Sequence, residues 1–428
     1  MTALPLDRTV RLLHSDLFPS LPLQVIAEEL ASTRVLLRAD ARSLGSPAAE
    51  TALVTTFVAL AQSGAEIWLD LPPLESQLRQ PPLRDRQLLD GLLDLSRDLI
   101  VPAHAGSATV EAVVLVGETP APDARAPVLR LGAGSFSARV GIGSGSEVGE
   151  IRSELPFGSI LAGAAAAAEV MRIACGRIAS SHDVDVPAEF DLGGPRSVEI
   201  DLPPLQLPPR LHLGAVDVVS AGAIANACLF ALLRVPGLRG SLRIFDRDRG
   251  EETNLNRYPL LRRSLLGLPK VDVLAALATE QLEIEGVPLR LSEQTLPEVL
   301  PLRERVLIGV DDIPSRWVVQ RHAPSWLCVA GTSHFTALVS EHTRSTPCAG
   351  CLHPYDDELA PAELPTISFV SLLAGLLQAY RLLAAASGAE PSSPTLVAGF
   401  NLAASRSVSQ VGFSPSPCCP VSCGPSRA

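Results

Sequence analysis

Apolar runs and turn residues alternate along the chain in the order of an α/β protein. Short strands are expected at 66–69, 113–116, 216–219, 242–245 and 306–310. The run 113–116 is continuously apolar, which is typical of a strand in a parallel sheet covered on both faces. Longer stretches of helical character separate the strands, and small residues such as Ser63-Gly64-Ala65 end the helices. The pattern predicts an α/β fold.

The same order of elements occurs twice. A helical run precedes the strand that ends at Asp70, and the helix after Gly222 precedes the strand that ends at Asp246. Leu161-Ala162-Gly163 and Leu373-Ala374-Gly375 each belong to a later, long apolar helix. The separation between matched positions grows along the chain, as a duplication with insertions in the later copy gives. The alternative is that α/β sequences resemble one another at this level of detail.

We predict two domains and a linker. Residues 1–192 form a degenerate first copy, and residues 211–428 form an intact second copy. Between them, residues 193–210 contain five prolines and one extended strand at 197–202, which is typical of a linker. The first copy keeps the scaffold but has no lysine and no glycine turn like that at Gly222.

Composition restricts the classes of function. Apolar residues make up 47% of the chain and charged residues 19%, enough for a buried core. The net charge of −11 disfavours a general nucleic-acid binder, which needs a basic face. The apolar stretches 160–178 and 370–386 contain charged or polar residues, which favours core helices over membrane spans. Residues 1–22 lack a signal-peptide pattern, so we expect a cytoplasmic protein.

Polar side chains follow the strands of the second copy where parallel strands end. The strand 216–219 leads into a small-residue turn with Gly222, and the next strand ends at Asp246-Arg247-Asp248, where an acid can accept hydrogen bonds from a ribose. Donors for a polyphosphate and candidate ligands for Mg²⁺ follow at Asn254, Asn256, Arg257, Lys270, Asp311 and Asp312.

Lys270 is the single lysine among the 35 lysine and arginine residues. A lysine differs from an arginine in carrying a compact charge that can enter a phosphate cradle. The alternative is an arbitrary surface lysine.

In order and spacing these residues resemble the ThiF/MoeB/ubiquitin-activating superfamily of adenylyltransferases. The family pattern is a glycine-rich turn, Asp-x-Asp, Asn-Leu-x-Arg, a lysine after a Gly-x-Pro turn, and an aspartate followed by an arginine after the next strand. The matching positions are Gly222, Asp246–Asp248, Asn254–Arg257, Gly267–Lys270 and Asp311–Arg316. The likeness covers most of residues 210–425 and implies a Rossmann-like ThiF adenylation fold.

The resemblance implies roles in binding and activating ATP. It places Asp246 on the ribose, Asp311 on Mg²⁺, and Asn254, Arg257 and Lys270 on the phosphates. Arg257, Lys270 and Asp311 are the expected catalytic residues. The remaining candidates for the ATP-binding set are Gly222, Asp248, Asn256 and Asp312.

The family builds its site from two related halves. The first copy is therefore expected to be a tethered pseudo-subunit, which makes the chain an intramolecular pseudo-dimer, with a homodimer also possible. An arginine of that half, Arg8 or Arg11, is a candidate for contact with the γ-phosphate.

Two departures from the family pattern bear on activity. Ser220, Ala223 and Ala225 stand where the turn would have glycine, which narrows the approach of backbone to phosphate. The crossover segment 352–368 has no cysteine for a thioester, so another molecule is expected to supply the attacking group. The other internal cysteines lie in apolar stretches and are expected to be inert core residues: Cys175, Cys228 and Cys328.

The C-terminal cysteines have the spacing of a zinc knuckle. Cys348-x-x-Cys351 and a second pair near the C-terminus provide four thiolates for a structural Zn²⁺. Cys423 is one member of that pair; either Cys418 or Cys419 is the other, and we favour Cys419. The alternatives are a reducible disulfide or free thiols.

These features predict an ATP- and Mg²⁺-dependent adenylyltransferase. Its substrate would be the C-terminal carboxylate of a small ubiquitin-like or sulfur-carrier protein, or of a peptide. A second reading is a catalytically degenerate ThiF-like scaffold that recruits a peptide or partner protein. A nicotinamide-dependent oxidoreductase is disfavoured because the asparagine, arginine and lysine cluster has no role in hydride transfer. His334 is expected to be an ordinary hydrogen-bonded histidine. His353 is expected to lie beside the zinc knuckle.

Overall fold

The computed structural model describes residues 6–76, 81–83, 87–123, 125–143, 145, 148–188, 190–322, 324–354, 365–389, 395–399, 408–410 and 412–421. The first half contains helices α1 (Asp7–Asp16), α2 (Leu23–Ala31), α3 (Pro47–Gln62), α4 (Leu88–Arg97) and α5 (Phe157–His182). Its strands are β1 (Arg34–Arg38), β2 (Glu66–Asp70), β3 (Ala103–Ala105), β4 (Ala112–Val116), β5 (Val128–Ala133), β6 (Ser137–Ile142) and β7 (Val198–Asp201).

The second half contains helices α6 (Ala223–Leu232), α7 (Lys270–Ala275), α8 (Ile313–Arg321), α9 (Ala349–Leu352) and α10 (Ser368–Ala386). Its strands are β8 (His212–Val219), β9 (Arg239–Phe245), β10 (Leu282–Val287), β11 (Arg305–Ile308), β12 (Trp326–Ser333), β13 (Thr336–Thr343), β14 (Thr395–Gly399) and β15 (Val408–Gln410). Short 3₁₀ turns lie at Glu252–Asn254, Arg263–Leu265 and Leu296–Glu298.

Within the described residues, each half forms one mixed sheet. The orders are β3-β2-β1-β4-β5-β6-β7 and β10-β9-β8-β11-β12-β13-β14-β15. In both sheets the first five strands in this order are parallel and the later ones antiparallel. The α/β class is thus confirmed, and the shared order of seven strands is what a tandem duplication predicts.

The domain boundary differs from the expected one. The strand in the predicted linker is β7, and it pairs with β6 of the first sheet, with Ser137 opposite Asp201 and Val140 opposite Val198. The first unit therefore extends beyond residue 192, at least to Asp201. The proline content suggested a linker, but the alternation of buried Val198 and Ile200 with exposed neighbours is that of a strand covered on one face.

Two matched glycines allow close helix packing. A Cβ atom at Gly163 of α5 would lie 2.8 Å from Thr55 Cβ of α3. A Cβ atom at Gly375 of α10 would lie 2.4 Å from the Ile224 carbonyl oxygen and 2.5 Å from Ala227 Cβ of α6. In each half, glycine therefore lets the long helix cross the helix that follows the first central strand.

The halves pack through these helices into one continuous hydrophobic core. Ser63 Oγ of α3 lies 2.9 Å from Ser368 Oγ of α10. The Tyr380 ring of α10 makes edge contacts with Phe136 and Phe157, and its hydroxyl donates to the Pro203 carbonyl at 2.8 Å. The described residues of the two halves are therefore in direct contact through α3, α5 and α10.

Among the described residues, helices α5 and α10 are long and apolar enough to cross a membrane by length and composition alone. In the most apolar 18-residue stretch of α5, 94% of the residues are buried inside the protein, and in that of α10 the figure is 89%. This burial explains their all-round apolar composition, because each is covered by the sheet on one side and by helices on the other.

Candidate active site

A cavity of about 500 Å³ lies at the carboxyl ends of β8, β9, β11 and β12. Ligands of open α/β sheets bind at this edge. Its polar lining comes from separate segments of the chain and includes Arg8, Gly222, Asp246, Arg257, Lys270 and Asp311. The fold thus brings together residues of the second copy and one arginine of the first.

The turn between β8 and α6 is held by side chains. Ser220 has φ of 100°, a conformation that favours glycine, and its hydroxyl accepts a hydrogen bond from the Gly222 N–H at 2.9 Å. The Ala221 N–H donates to Asp246 Oδ2 at 2.8 Å. The Asn226 amide donates to the Ala221 and Gly222 carbonyls at 3.0 and 2.9 Å. The turn keeps its tight shape although serine replaces its first glycine.

Lys270 stands at the start of α7 with its ammonium beside two aspartates. Its Nζ lies 3.2 Å from Asp248 Oδ2, and its side chain is 11% exposed. Burial opposes the charged form, but Tyr258, Asp246 and Asp248 outweigh it and raise the pKa of Lys270 above its ordinary value. Asp246 Oδ1 accepts from the Asp248 N–H at 2.9 Å, so the whole acidic strand end is ordered. The ammonium is therefore a permanent positive charge at the cavity wall.

The polar side chains of the Asn-Leu-Asn-Arg segment point in different directions. Asn254 Oδ1 accepts from the Glu251 N–H at 3.0 Å and closes a capping box. The Arg257 guanidinium lines the cavity and donates to the Thr253 carbonyl and to Asn256 Oδ1, both at 2.6 Å.

Asn256 points away from the position predicted for it. It is fully buried, and its Nδ2 donates to Thr9 Oγ1 of α1 at 3.1 Å. Because both ends of the amide are engaged by protein atoms, a direct contact with a polyphosphate does not fit this geometry. The structure places Asn256 behind Arg257 instead.

Asp311 and Asp312 lie at the end of β11 with different surroundings. Asp312 is the N-cap of α8; it accepts from the Ser315 N–H at 3.0 Å and from the Ser315 hydroxyl, and it pairs with Arg290 at 3.3 Å. Asp311 is exposed and lines the cavity, so its carboxylate is the one placed to take a cation. Arg316 donates to the Val310 carbonyl at 3.2 and 2.8 Å and fixes this strand end.

The two candidate arginines of the first half are distinguished by position. Arg8 lines the cavity from α1. Arg11 is paired with Asp7 on its own helix at 2.7 Å, and its side chain is 57% exposed. Thr9, Val10, Leu12 and Leu13 of α1 are buried, and Thr9 contacts Asn256 of the second half.

A hydroxyl cluster at the β12 side of the cavity is absent from the sequence-based prediction. Thr366 Oγ1 lies 3.4 Å from Thr332 Oγ1 and 3.3 Å from Ser371 Oγ. All three side chains line the cavity. Only the position of these residues in the chain could have indicated the cluster. Thr332 lies near the end of a parallel strand, and Thr366 and Ser371 flank the start of α10.

The internal cysteines are core residues, as predicted. Cys175, Cys228 and Cys328 are buried. Burial raises the pKa of Cys175 and of Cys228 to about 12 and that of Cys328 well above its ordinary value. At neutral pH these groups are thiols, which are poor nucleophiles.

Three of the knuckle cysteines meet in space. The Sγ atoms of Cys348, Cys351 and Cys419 all lie within 4.8 Å of one another. Cys418 is exposed, so the geometry agrees with the choice of Cys419, while Cys423 lies outside the described residues. Three sulfur donors, two of them buried, match the chemistry of a structural Zn²⁺ site.

The two histidines lie outside the cavity lining that the structure describes. His334 Nδ1 lies 2.7 Å from Asp16 Oδ2 of α1, which makes it the hydrogen-bonded surface residue that was expected. The His353 carbonyl accepts from Trp317 Nε1 at 2.9 Å beside the cysteine cluster.

Residues 210–421 match the sequence model of the ThiF family. This part of the chain belongs to the ThiF family. The region defined by these residues, the ThiF region, contains all cavity residues discussed above except Arg8, and it ends just before Cys423.

A curated relative, the uncharacterized protein y4jF of Sinorhizobium fredii, is 30% identical over 237 residues. The match covers 54% of this chain and 44% of the relative, so the chain spans less than half of that protein's length.

Solved structures of Escherichia coli MccB are similar over about half of this chain. The complex with succinimide is 17% identical, with a TM-score of 0.40 and coverage of 48% of this chain and 65% of MccB. The complex with ATP is 18% identical, with a TM-score of 0.39 and coverage of 48% and 66%. Values this low carry no argument about activity.

Proposed function

We propose that the protein is an ATP- and Mg²⁺-dependent adenylyltransferase that activates the C-terminal carboxylate of a peptide or small protein. The observation that carries the proposal is the meeting of Lys270, Arg257, Asp246 and Asp311 in one cavity of the ThiF region. Two cations suit a polyphosphate, and two carboxylates suit a ribose and a metal ion.

The order of strands suggests how the substrates would lie along the sheet edge. Passing from β9 through β8 and β11 to β12, the cavity presents Asp246, then Gly222, then Asp311, then Thr332. With the ribose at Asp246, the phosphates extend across the β8 turn toward Lys270 and Asp311. The carboxylate substrate then enters from the β12 side, where the hydroxyls of Thr332, Thr366 and Ser371 offer hydrogen bonds.

The reaction proposed is transfer of AMP to the carboxylate. A carboxylate oxygen attacks the α-phosphorus, and the bond from that phosphorus to the oxygen bridging to the β-phosphate breaks. Pyrophosphate leaves, and the product is an acyl-adenylate. Lys270 and Arg257 stabilise the negative charge that develops on the phosphate oxygens. Mg²⁺, for which Asp311 is the fitting ligand, supplies further charge neutralisation when bound.

The next acceptor is proposed to be a separate molecule. None of the cysteines of the ThiF region whose positions are described lines the cavity. A thioester with the protein itself is therefore not part of the proposal.

The test is ATP–pyrophosphate exchange with purified protein. A panel of synthetic peptides with free C-terminal carboxylates is compared with the same peptides carrying C-terminal amides. Exchange that requires ATP, Mg²⁺ and a free carboxylate is the expected result. If no peptide supports ATP–pyrophosphate exchange and ATP causes no thermal shift, the proposed function is wrong.

One observation favours a second candidate, a ThiF-like binding module without turnover. Ser220 replaces a glycine, and its hydroxyl occupies the Gly222 N–H that a phosphate would otherwise use. In that case wild-type protein and Lys270→Ala would give equal thermal shifts with ATP and would show no exchange. A peptide array would then identify the bound partner.

We also propose a structural Zn²⁺ held by Cys348, Cys351 and Cys419, with Cys423 as the expected fourth ligand. The cluster joins the segment 412–421 to α9, and Val421 packs with Cys348, the N-cap of α9, and with Cys351. Metal analysis of the purified protein should give one zinc per chain, and Cys419→Ser should lose it and lower the thermal midpoint. Cys418→Ser is the matched control, because its side chain is exposed; equal loss of zinc in both variants would contradict the assignment of Cys419.

A further inference from the structure

Two buried hydrogen bonds run from the first half to the segment that carries Arg257. Asn256 Nδ2 donates to Thr9 Oγ1 of α1 at 3.1 Å, and Gln62 Nε2 of α3 donates to the Tyr258 carbonyl at 2.9 Å. Thr9, Gln62 and Asn256 each have 0% exposure. The contacts lie on either side of Arg257 in the sequence.

The Thr9 contact determines which way round the Asn256 amide faces. The amide oxygen accepts from the Arg257 guanidinium at 2.6 Å, while the amide nitrogen needs an acceptor on the opposite side. The Thr9 hydroxyl oxygen is that acceptor. Without it, the amide either keeps a buried, unpaired N–H group or turns its NH₂ toward a guanidinium that can only donate. A hydroxyl in the first half thus holds an acceptor in place for Arg257.

The Gln62 contact supports the same segment one residue later. Gln62 holds the Tyr258 backbone, and the Tyr258 ring lies 5.2 Å from the Arg257 guanidinium carbon and 5.7 Å from Lys270 Nζ. Tyr258 also contributes to the raised pKa of Lys270. Moving this backbone would displace a ring that both cavity cations contact.

We propose that the first half positions the cations of the active site, and that Thr9 and Gln62 are the positioning residues. Neither side chain lines the cavity, so both act through Asn256, Arg257 and Tyr258. The inference rests on the proposed function for its effect on ATP. It gives the first half a defined role in the site of the second half.

Activity measurements test the role of the hydroxyl. Thr9→Val removes the hydroxyl at nearly constant volume and should raise KM for ATP in pyrophosphate exchange about tenfold, the effect of one buried hydrogen bond. Thr9→Ser should restore wild-type values. Thr56→Val is the matched control, because the buried Thr56 hydroxyl donates to the Ala52 carbonyl of its own helix at 2.7 Å. Gln62→Met should behave as Thr9→Val does.

Hydrogen exchange tests positioning without nucleotide. Thr9→Val should increase amide exchange in residues 252–266 more than tenfold, with exchange in β8 and α10 unchanged, and Thr56→Val should leave residues 252–266 as in wild type. If amide hydrogen exchange in residues 252–266 and KM for ATP were the same in Thr9→Val as in Thr56→Val, the inference would be overturned. If the wild type showed no ATP–pyrophosphate exchange, the proposed function would be overturned instead. The amide hydrogen-exchange rates would still decide whether Thr9 orders residues 252–266.

Discussion

At the carboxyl end of β1 the first half has a cavity of about 360 Å³, in the position that corresponds to the active-site cavity of the second half. Its charged lining is paired within itself: Arg42 lies 3.3 Å from Glu118 and 3.6 Å from Glu150, and Arg152 also contacts Glu150. These side chains are largely exposed, so the pairs add little stability. A polyphosphate there would meet two carboxylates.

The two cations of the second cavity are largely buried. Lys270 is 11% exposed and pairs with Asp248 at 3.2 Å, and Arg257 is 4% exposed and donates to the oxygens of Thr253 and Asn256. A charge with little solvent exposure is screened less than an exposed one. The same scaffold therefore holds exposed, paired charges in the cavity of the first half and largely buried cations in the cavity of the second half.

The helix N-termini at the two cavities also differ, because α3 has a side-chain cap and α6 has none. At α3, Ser46 caps the helix by accepting from the Ala49 N–H and also donates to the Ile151 carbonyl. At α6, Gly222 makes no side-chain capping bond, and Gly222, Ala223 and Ile224 line the cavity. Uncapped N–H groups at a helix start are an anion-binding feature. Ser46 removes that feature from the first half.

The largest expected difference comes from the cations. Lys270→Ala should lower ATP–pyrophosphate exchange by at least about 100-fold, because a positioned charge on a transferring phosphoryl group is lost. Arg42→Ala, in the first cavity, should change it less than about twofold, since that side chain is 78% exposed and paired with glutamates. Similar losses in both variants would show that the first cavity also takes part in catalysis.

The acids should differ in the same way. Asp311→Asn removes the carboxylate placed to hold a metal ion and should lower exchange at least about tenfold, with a weaker response to Mg²⁺. Glu118→Gln is the matched change at the end of β4 and should leave the Mg²⁺ titration as in wild type. A wild-type Mg²⁺ response in Asp311→Asn would remove Asp311 from the metal site.

Much of this arrangement was predictable from local patterns. Strand-end acids, a turn glycine and a single lysine mark one sheet edge, because parallel strands end together. The strand at 197–202 was predicted, but the proline content around it led to its assignment to a linker, whereas β7 pairs with β6 of the first sheet. Asn256 was misjudged because its place in a binding motif says nothing about the direction of its side chain. That direction is determined by Thr9, which is distant in sequence and in the other half.

The hydroxyl cluster and the choice between Arg8 and Arg11 were beyond the sequence for a related reason. Thr332 of β12, Thr366 before α10 and Ser371 of α10 are far apart in sequence and meet only in the folded structure. The two arginines share one short helix, and burial of Thr9 and Val10 decides which of them faces the second half. In each case the missing information was a long-range contact.

The matched glycines provide a structural test with a smaller effect. Gly163→Ala and Gly375→Ala should each lower the free energy of unfolding by about 1–3 kcal/mol, because the added methyl group overpacks a helix crossing. Gly412→Ala is the control, since nothing lies within 4 Å of its Cβ position. Urea unfolding of the three variants decides this. A cost at Gly375 alone would mean that α5 can move away from α3, and the halves would then not be equivalent in packing.

The smallest expected effect concerns the altered turn. Ser220→Gly removes a serine from a backbone conformation that favours glycine and frees the Gly222 N–H for a phosphate. ATP should bind about fivefold more tightly, and the free energy of unfolding should rise by about 1 kcal/mol. Ser46→Gly, at the corresponding helix start of the first half, should leave ATP affinity unchanged and cost only a few tenths of a kcal/mol in stability. Calorimetric titration with ATP compares the two variants. Weaker binding in Ser220→Gly would mean that the serine hydroxyl contacts the nucleotide directly, and the turn would then be adapted to its ligand instead of impaired.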